Sequence, residues 1–337
     1  MKILVLNPGS SSMKSAMYEM PGEQRIDAAD DVDAVGVRVV HGGSRFEEPV
    51  IIDDDVLGDI RELAALAPLH NPLAVEAIED VRRERKGVPI VAVFDTAFHR
   101  TLPPAASTYA IPQNLGIRRY GFHGISYSYV SKRLQTLGAG DKLIVAHLGN
   151  GASVCAIRGG RSIDTSMGFT PMEGLVMGTR AGDLDPGAIL YLLRDGATDI
   201  DDLLNHQSGL CGLSGISGDV RELEASSDPK AQLALDVFAY RAAKYIASYC
   251  AALDGVDAIA FAAGIGEHSG SMRQRICDRL RFLGVILDDA ANRAPRSDER
   301  RISAGRVGVW VIPTNEELEI ARATYETLTH DRIARGA

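Results

Sequence analysis

Two short stretches combine residue types suited to handling phosphate. The first is "KILVLNPGSSSMKSAM", residues 2–17. An apolar run stops at Asn7 and gives way to Pro8, Gly9, three serines and then Lys14. A turn of Gly and Ser exposes backbone N–H groups and small hydroxyls, whose dipoles converge on an anion. Lys14 adds a compact positive charge suited to phosphate. Asn7, at the end of the run, can bind a phosphate-bound Mg²⁺ or one of its waters, because Mg²⁺ takes oxygen ligands and keeps several waters.

The second stretch is "KLIVAHLGNGASVCAI", residues 142–157. Laid under the first without a gap, it puts Lys142 beneath Lys2, Val145 beneath Val5, Gly149 beneath Gly9 and Ala156 beneath Ala16. Asn7 and His147 then hold the same turn position. Gly149 and Gly151 let backbone approach a phosphate closely. Two buried hairpins can resemble each other by chance, but the shared turn chemistry points to one strand–turn–strand unit used twice. Two such hairpins on facing domains would pinch a polyphosphate between them. A third segment, "FAAGIGEH" at 261–268, reads as a strand followed by a glycine loop and then the helix "SGSMRQRICDRLRFLG". It lacks both the GxGxxG and the GxxxxGK[ST] spacing, which excludes a Rossmann dinucleotide site and a Walker loop. It can still hold an adenosine moiety, with Asp219 and Arg221 of "SGDVR" contacting ribose and base.

These residues need elements to place them. "KILVLN" and "VPIVAVFDT" read as buried strands, the second ending in a carboxylate. "DIRELAALAPLH", "NPLAVEAIEDVRRERKG" and "SYSYVSKRLQTLG" read as helices, the last with a glycine stop at Gly138. "AQLALDVFAYRAAKYIASYCAAL", residues 231–253, reads as a helix nearly apolar enough to be buried all round. "RVGVWVIPTNEELEIARATYETL" reads as strand, turn and final helix. Alternating strands and helices mean α/β architecture. No Pro- or Ser-rich linker divides the chain, so a domain junction must be compact.

The totals narrow the function. At 337 residues the chain fits two domains. Hydrophobic residues make up 45% and charged residues 24%, as in a soluble globular protein. A net charge of −9 disfavours nucleic acid or an anionic membrane as the main partner. Cys155, Cys211, Cys250 and Cys277 form no CxxC pair, so neither a zinc site nor a disulfide framework is expected. No run reaches the ~18 apolar residues of a membrane span, and the N-terminus has no basic segment before a cleavable apolar core. The expected location is the cytoplasm.

The motifs "LNPGSSSMK", "RVVHGG", "APLHNP", "VFDTAFH", "RRYGFHG", "HLGNGAS", "DTSMGFTPMEGLVMGTRAGDLDP", "SGLCGLSGISGDVR", "FAAGIGEHS" and "IPTNEELEIA" follow one another along nearly the whole chain. In this combination the chain resembles the acetate kinase family, within the acetate and sugar kinase/Hsp70/actin superfamily. The resemblance implies two RNase H-like (actin-like ATPase) domains with the nucleotide in the cleft between them. The expected division is 1–96 plus 317–337 against 97–316. It also implies a phosphotransferase with a carboxyl acceptor, making acetyl phosphate and ADP from acetate and ATP, with Mg²⁺ (or Mn²⁺ in its place), and a homodimer.

By the same resemblance, Asn7 and Glu316 would hold Mg²⁺. Ser10, Ser12 and Lys14 would face the ATP phosphates with His147, Leu148, Gly149, Asn150 and Gly151. Asp219, Val220, Arg221, Gly264, Ile265, Gly266, Glu267 and His268 would hold the nucleoside. Arg38 would bind the substrate carboxylate, and Val40, Leu69, Phe122 and Pro171 would form its methyl pocket, with His70 beside it. Asp95, His123 and Arg180 would surround the transferred phosphoryl group, and the final helix would bring Glu316 to a hinge beside Asn7. A carboxylate titrates near ~4 to 5 and is ionised at pH 7, so the acceptor needs no general base. Asp95 is expected to position metal, water or arginine. His41, His99, His206 and His330 receive no chemical role, and Trp310 reads as core.

Two features depart from the family. Residues 15–37 form a much shorter connection than relatives carry there, and Tyr127 stands where the family has His. Propionate is the rival acid, because one methylene changes binding by only ~1 to 3 kcal/mol. An Hsp70- or actin-like ATP-driven binding module, or a relic without chemistry, are the rival classes. A binding module has no need of Arg38, His123 and Arg180.

Overall fold

The structure is a computed structural model that describes residues 1–336 except 10–12, 28–30, 69, 197, 296 and 297. It separates into two compact units: Met1–Arg100 with Phe122–Tyr129 and Asn315–Ala337, and Thr101–Gly121 with Val130–Thr314. Residues 97–100, 122–129, Asn315 and Glu316, placed with the second domain by the sequence reading, therefore belong to the first unit.

The first unit is built on β1 (Lys2–Pro8), β2 (Met13–Glu19), β3 (Gln24–Ile26), β4 (Ala34–Val39), β5 (Val50–Ile51) and β6 (Ile90–Phe94), in the order β3-β2-β1-β4-β6-β5. β1 runs parallel to β4, and β4 to β6; the other pairs are antiparallel. Strand alternation sorts the side chains. Val35, Val37 and Val39 face Leu57, Ile60, Ala74 and Ile78 of the helices Asp54–Glu62 and Asn71–Glu84. Ile3, Val5 and Ala34 face Ile320, Ala321 and Leu328 of the C-terminal helix Glu316–Gly336. Arg38 falls between Val37 and Val39 in this alternation, away from the valine face.

The second unit repeats the plan with β7 (Lys142–Leu148), β8 (Ala152–Arg158), β9 (Arg161–Thr165), β10 (Ala258–Ala262), β11 (Arg300–Arg301) and β12 (Gly308–Val311), in the order β11-β12-β10-β7-β8-β9. Read from β9, this is the order and the parallel/antiparallel pattern of the first sheet. The repeat is real at the level of topology, but not without a gap. In the first hairpin Asn7 pairs with Lys14 and Val5 with Ala16; in the second His147 pairs with Ser153 and Val145 with Cys155. The second turn is one residue shorter, so the counterparts of Lys14 and Ala16 are Ser153 and Cys155. The helix Pro229–Leu253 buries Ala234, Leu235, Phe238, Ala242 and Ile246, but exposes Leu233 and Tyr240. It is covered on one side, not all round.

Candidate active site

In the first unit, chemistry gathers at the carboxyl ends of β1, β4 and β6. Asn7 Nδ2 donates to Glu316 Oε2 at 3.0 Å and to Glu317 Oε1 at 3.1 Å. Arg38 Nε and Nη2 both donate to Asp95 Oδ2, at 2.9 and 2.5 Å, while Nη1 reaches Asn7 Oδ1 at 3.3 Å. Asp95 is fully buried, and its second oxygen, Oδ1, makes no hydrogen bond among the described residues. Arg38 is thus gripped by a carboxylate of its own chain. This suits Asp95 as a group that aims an arginine.

Three carboxylates act on Arg38. Burial would lower the Arg38 pKa, but Asp95, Glu316 and Glu317 outweigh it and hold the guanidinium charged beyond its ordinary value. Burial pushes Asp95 above the usual carboxylate range; Arg38 opposes the rise and Glu316 adds to it. The 2.5 Å contact with Arg38 favours the ionised form of Asp95, against burial. Asp95, Glu316 and Glu317 act on one arginine, and the Ile125 backbone N–H also favours the Asp95 carboxylate. This set fits a divalent cation. No group of three or more His, Cys, Asp or Glu forms a metal cage among the described residues. Mg²⁺ does not need one, since it uses one or two carboxylates with substrate phosphates and water.

His123 is a non-glycine residue at φ 58°, a left-handed conformation found where surrounding structure enforces it. The cause is Gly124, which starts the helix Gly124–Thr136 and donates its N–H to the Asp95 carbonyl at 3.0 Å. A Cβ on Gly124 would overlap that carbonyl and the Phe98 side chain. Behind it, His99 Nε2 bonds the Phe122 carbonyl at 2.9 Å, and the ring of buried Tyr127 lies edge-on to His99 at 5.7 Å. Tyr127 therefore packs here as an aromatic wall. Val40 and Phe122 are buried, and the Phe122 ring meets His41 edge-on at 5.4 Å. Asn71 brackets His41 on both sides, accepting from its N–H and donating to its carbonyl, each at 3.1 Å. His70 occupies the N-cap position of the helix that Asn71 begins, without a side-chain capping bond.

In the second unit, Arg180 Nη1 donates to the Pro171 carbonyl at 2.7 Å. No carboxylate lies against this guanidinium among the described residues, and burial alone lowers its pKa. A half-buried cation held by a neutral carbonyl keeps charge that an anion can neutralise. A separate cavity of about 600 Å³ is lined by Gly149, Asn150, Asp219, Val220, Arg221, Gly264, Ile265 and His268, within the size range of small-molecule sites. Asp219 caps the helix Val220–Ala225 and receives the exposed Arg221 side chain. The expected glycine loop is itself helical, Ala263–His268, and begins directly after β10 with Ala263 at φ 64°.

The remaining expected site residues are placed as follows. Leu148 and Gly266 are core, and His147 is buried at the end of β7. Gly151 closes its turn by accepting from Gly149 N–H. Glu267 takes the Thr314 N–H at 3.1 Å. Lys14 is exposed on β2 opposite Asn7. Ser10, Ser12 and Leu69 lie outside the described residues. The sequence reading missed Glu317, Asn71 and Glu224. Glu224 lines the cavity and holds Ser269 Oγ at 2.6 Å. Glu317 and Asn71 stood inside quoted motifs; nothing in the local pattern around Glu224 marks it.

The Acetokinase family profile matches residues 20–322. The acetate kinase of Heliobacterium modesticaldum is 50% identical over 312 residues, covering 88% of this chain and 79% of that one. The relative is thus the longer chain, and the profile match starts just after the first hairpin. Among solved structures, Porphyromonas gingivalis acetate kinase superposes with a TM-score of 0.90 at 36% identity, covering 97% of this chain and 99% of that one. A propionate kinase from Francisella tularensis gives 0.89 at 38%, covering 96% and 99%. With a profile match over most of the chain and a relative of this identity, the protein is a kinase belonging to the acetokinase family.

Proposed function

We propose that this chain transfers the γ-phosphoryl group of ATP to acetate, reversibly and with Mg²⁺, giving acetyl phosphate and ADP by direct in-line transfer. The observation that carries the proposal is Arg180, a half-buried guanidinium without a carboxylate partner among the described residues. An acetate oxygen attacks the γ-phosphorus as the bond to the β–γ bridging oxygen breaks, and ADP leaves with that electron pair. No proton moves, because the acceptor is already ionised. The barrier is electrostatic, an anion meeting a polyanion, so positioned cations supply the catalysis.

Arg180 and His123 stabilise the equatorial oxygens of the moving phosphoryl group. Arg38, aimed by Asp95, draws the acid's carboxylate into line, and Val40, Phe122 and Pro171 receive its methyl group. Asn150, Asp219, Ile265 and His268 hold the nucleoside in the cavity, while Lys14 and the turn at Gly149 attend the phosphates. Asn7 and Glu316 would hold Mg²⁺, which screens phosphate charge when bound. The exposed Leu190, Tyr191 and Leu193 of the helix Pro186–Arg194 and Tyr240 support a homodimer. The ATP requirement and acidic composition suit the cytoplasm.

A second reading, propionate kinase, is favoured by the Francisella tularensis neighbour. ADP release with ATP, Mg²⁺ and acetate, propionate, butyrate or formate, with hydroxylamine trapping the acyl phosphate, tests both. Acid-dependent turnover lost in Arg38→Ala supports the kinase, and the ranking of acids separates the two readings. ATP binding without acid-dependent turnover would sink it.

A further inference from the structure

The segment between β9 and the helix Pro186–Arg194 carries both Pro171 and Arg180, yet contains no regular element. Something must hold it. Arg119 Nη1 donates to three successive carbonyls at its start, Thr165 at 3.0 Å, Ser166 at 3.2 Å and Met167 at 3.0 Å. Its Nη2 donates to Glu173 Oε1 at 2.6 Å, closing the span from 165 to 173. The Tyr109 hydroxyl donates to Glu173 Oε2 and accepts the Phe169 N–H at 3.0 Å, inside that span. A Cβ at Gly168 would overlap both the Glu173 carboxylate and the Tyr109 hydroxyl, so the chain folds tightly over them. Pro171, whose carbonyl receives Arg180, sits within this closed turn.

The other flank is braced in the same way. Asp183 Oδ1 accepts the Gly174 N–H at 2.9 Å, its own N–H returns to the Gly174 carbonyl at 2.9 Å, and its Oδ2 accepts the Tyr245 hydroxyl at 2.6 Å. Arg180 thus hangs between two pinned points.

We infer that the Tyr109–Glu173–Arg119 cluster is the positioning device for the Pro171–Arg180 turn, and through it a determinant of which short-chain acid is phosphorylated. The inference rests on the roles proposed above for Pro171 and Arg180. None of the three residues needs to touch substrate. They set where the Pro171 wall stands and where the guanidinium points, and a small misplacement of either is felt in transfer.

The test measures kcat and KM for acetate, propionate and ATP, with melting temperature, in the parent, Tyr109→Phe and Glu173→Gln. Tyr109→Phe leaves the Phe169 N–H and one Glu173 oxygen without their partner; Glu173→Gln keeps size and removes the charge that Arg119 grips. The expected result is a fall of about tenfold in kcat/KM for acetate, with the acetate-to-propionate ratio moved and the KM for ATP within about twofold of the parent. Loss of melting temperature with an unchanged acid ratio and acetate KM would show a merely structural cluster and overturn the inference. If Tyr109→Phe does not fold, Glu173→Gln decides alone. A parent without acid-dependent turnover overturns the underlying kinase reading and the inference with it; a working parent with unchanged ratios in the variants overturns the inference alone.

Discussion

The two units share one sheet plan and differ in what stands at the strand ends. Ladder registers make the positions comparable. Val5 pairs with Gly36 in the first sheet as Val145 pairs with Ala260 in the second. Gly36 pairs with Val91 as Ala260 pairs with Trp310. Counting on along each strand, Asn7, Arg38 and Asp95 correspond to His147, Ala262 and Thr314. Where the first unit sets an amide, a partly buried guanidinium and a buried carboxylate, the second has an imidazole, a methyl and a hydroxyl. Freed of that ion pair, β10 passes at once into the helix Ala263–His268 and a cavity of about 600 Å³ beside it. The same sheet plan thus carries different side chains at equivalent strand ends, an ion pair in one unit and no such pair between those positions in the other. The first unit's strand ends carry a charge pair, and the second unit's carry a cavity.

The hardest way to break this contrast is to remove a cation. Arg180→Ala and Arg38→Ala should each lower kcat by ~10² to 10³ while ATP binding, measured by calorimetry, stays near the parent value. An equal loss of ATP affinity would erase the division between charge handling and nucleotide holding.

Asp95 sharpens it through pH. Its carboxyl is raised above the ordinary value by burial, with Glu316 adding and Arg38 opposing. As pH falls through that raised value Asp95 takes up a proton and releases its hold on Arg38. The kcat profile should therefore show an acid limb above the ordinary carboxylate range. Asp95→Asn, low at every pH, should lack that limb; a limb that persists in this variant would assign the titration to another group.

Glu316→Gln should raise the Mg²⁺ concentration needed for half-maximal activity by about tenfold or more, and chelation should abolish parent turnover reversibly. An unchanged Mg²⁺ curve would separate Glu316 from the metal. In the second unit a Cβ at Gly264 meets open space and the residue has no positive φ. Gly264→Leu should fold normally yet raise the KM for ATP by about tenfold, with the acetate KM unchanged, through one to two kcal/mol of steric conflict. A normal ATP KM would mean the cavity is not the nucleoside site. The smallest effect is expected where both units' chemistry is untouched. Arg322, in the C-terminal helix, forms a two-armed pair with Glu23, each contact 2.7 Å. Glu23→Ala should cost less than about 1 kcal/mol in chemical denaturation and nothing in kcat.

Much of this was legible from local chemistry. "KILVLN" and "VFDT" announced their strands because an unbroken apolar run bounded by a polar stop suits a strand covered on both faces. Arg38, between two valines, had to face away from them. The exact hairpin match was not legible. Matching letters without a gap puts Ala16 on Ala156, whereas the ladder puts it on Cys155, because turn length is set by backbone hydrogen bonding rather than by residue identity. The glycine-rich 263–268 segment looked like a loop and is a short helix, since glycine permits helix wherever neighbouring structure supports it.

By itself the sequence determined the α/β class, the repeated hairpin and the family, and it named the candidate groups for phosphate and carboxylate. Those follow from residue type and short-range order. Only the tertiary structure decided that Arg38 is held by Asp95, that Asn7 bridges Glu316 and Glu317, that His41 is locked by Asn71, and that Arg119, Glu173 and Tyr109 brace the Arg180 turn. These contacts join residues from tens to hundreds of positions apart. Their energies depend on burial and distance, which arise only once the sheets and helices have packed.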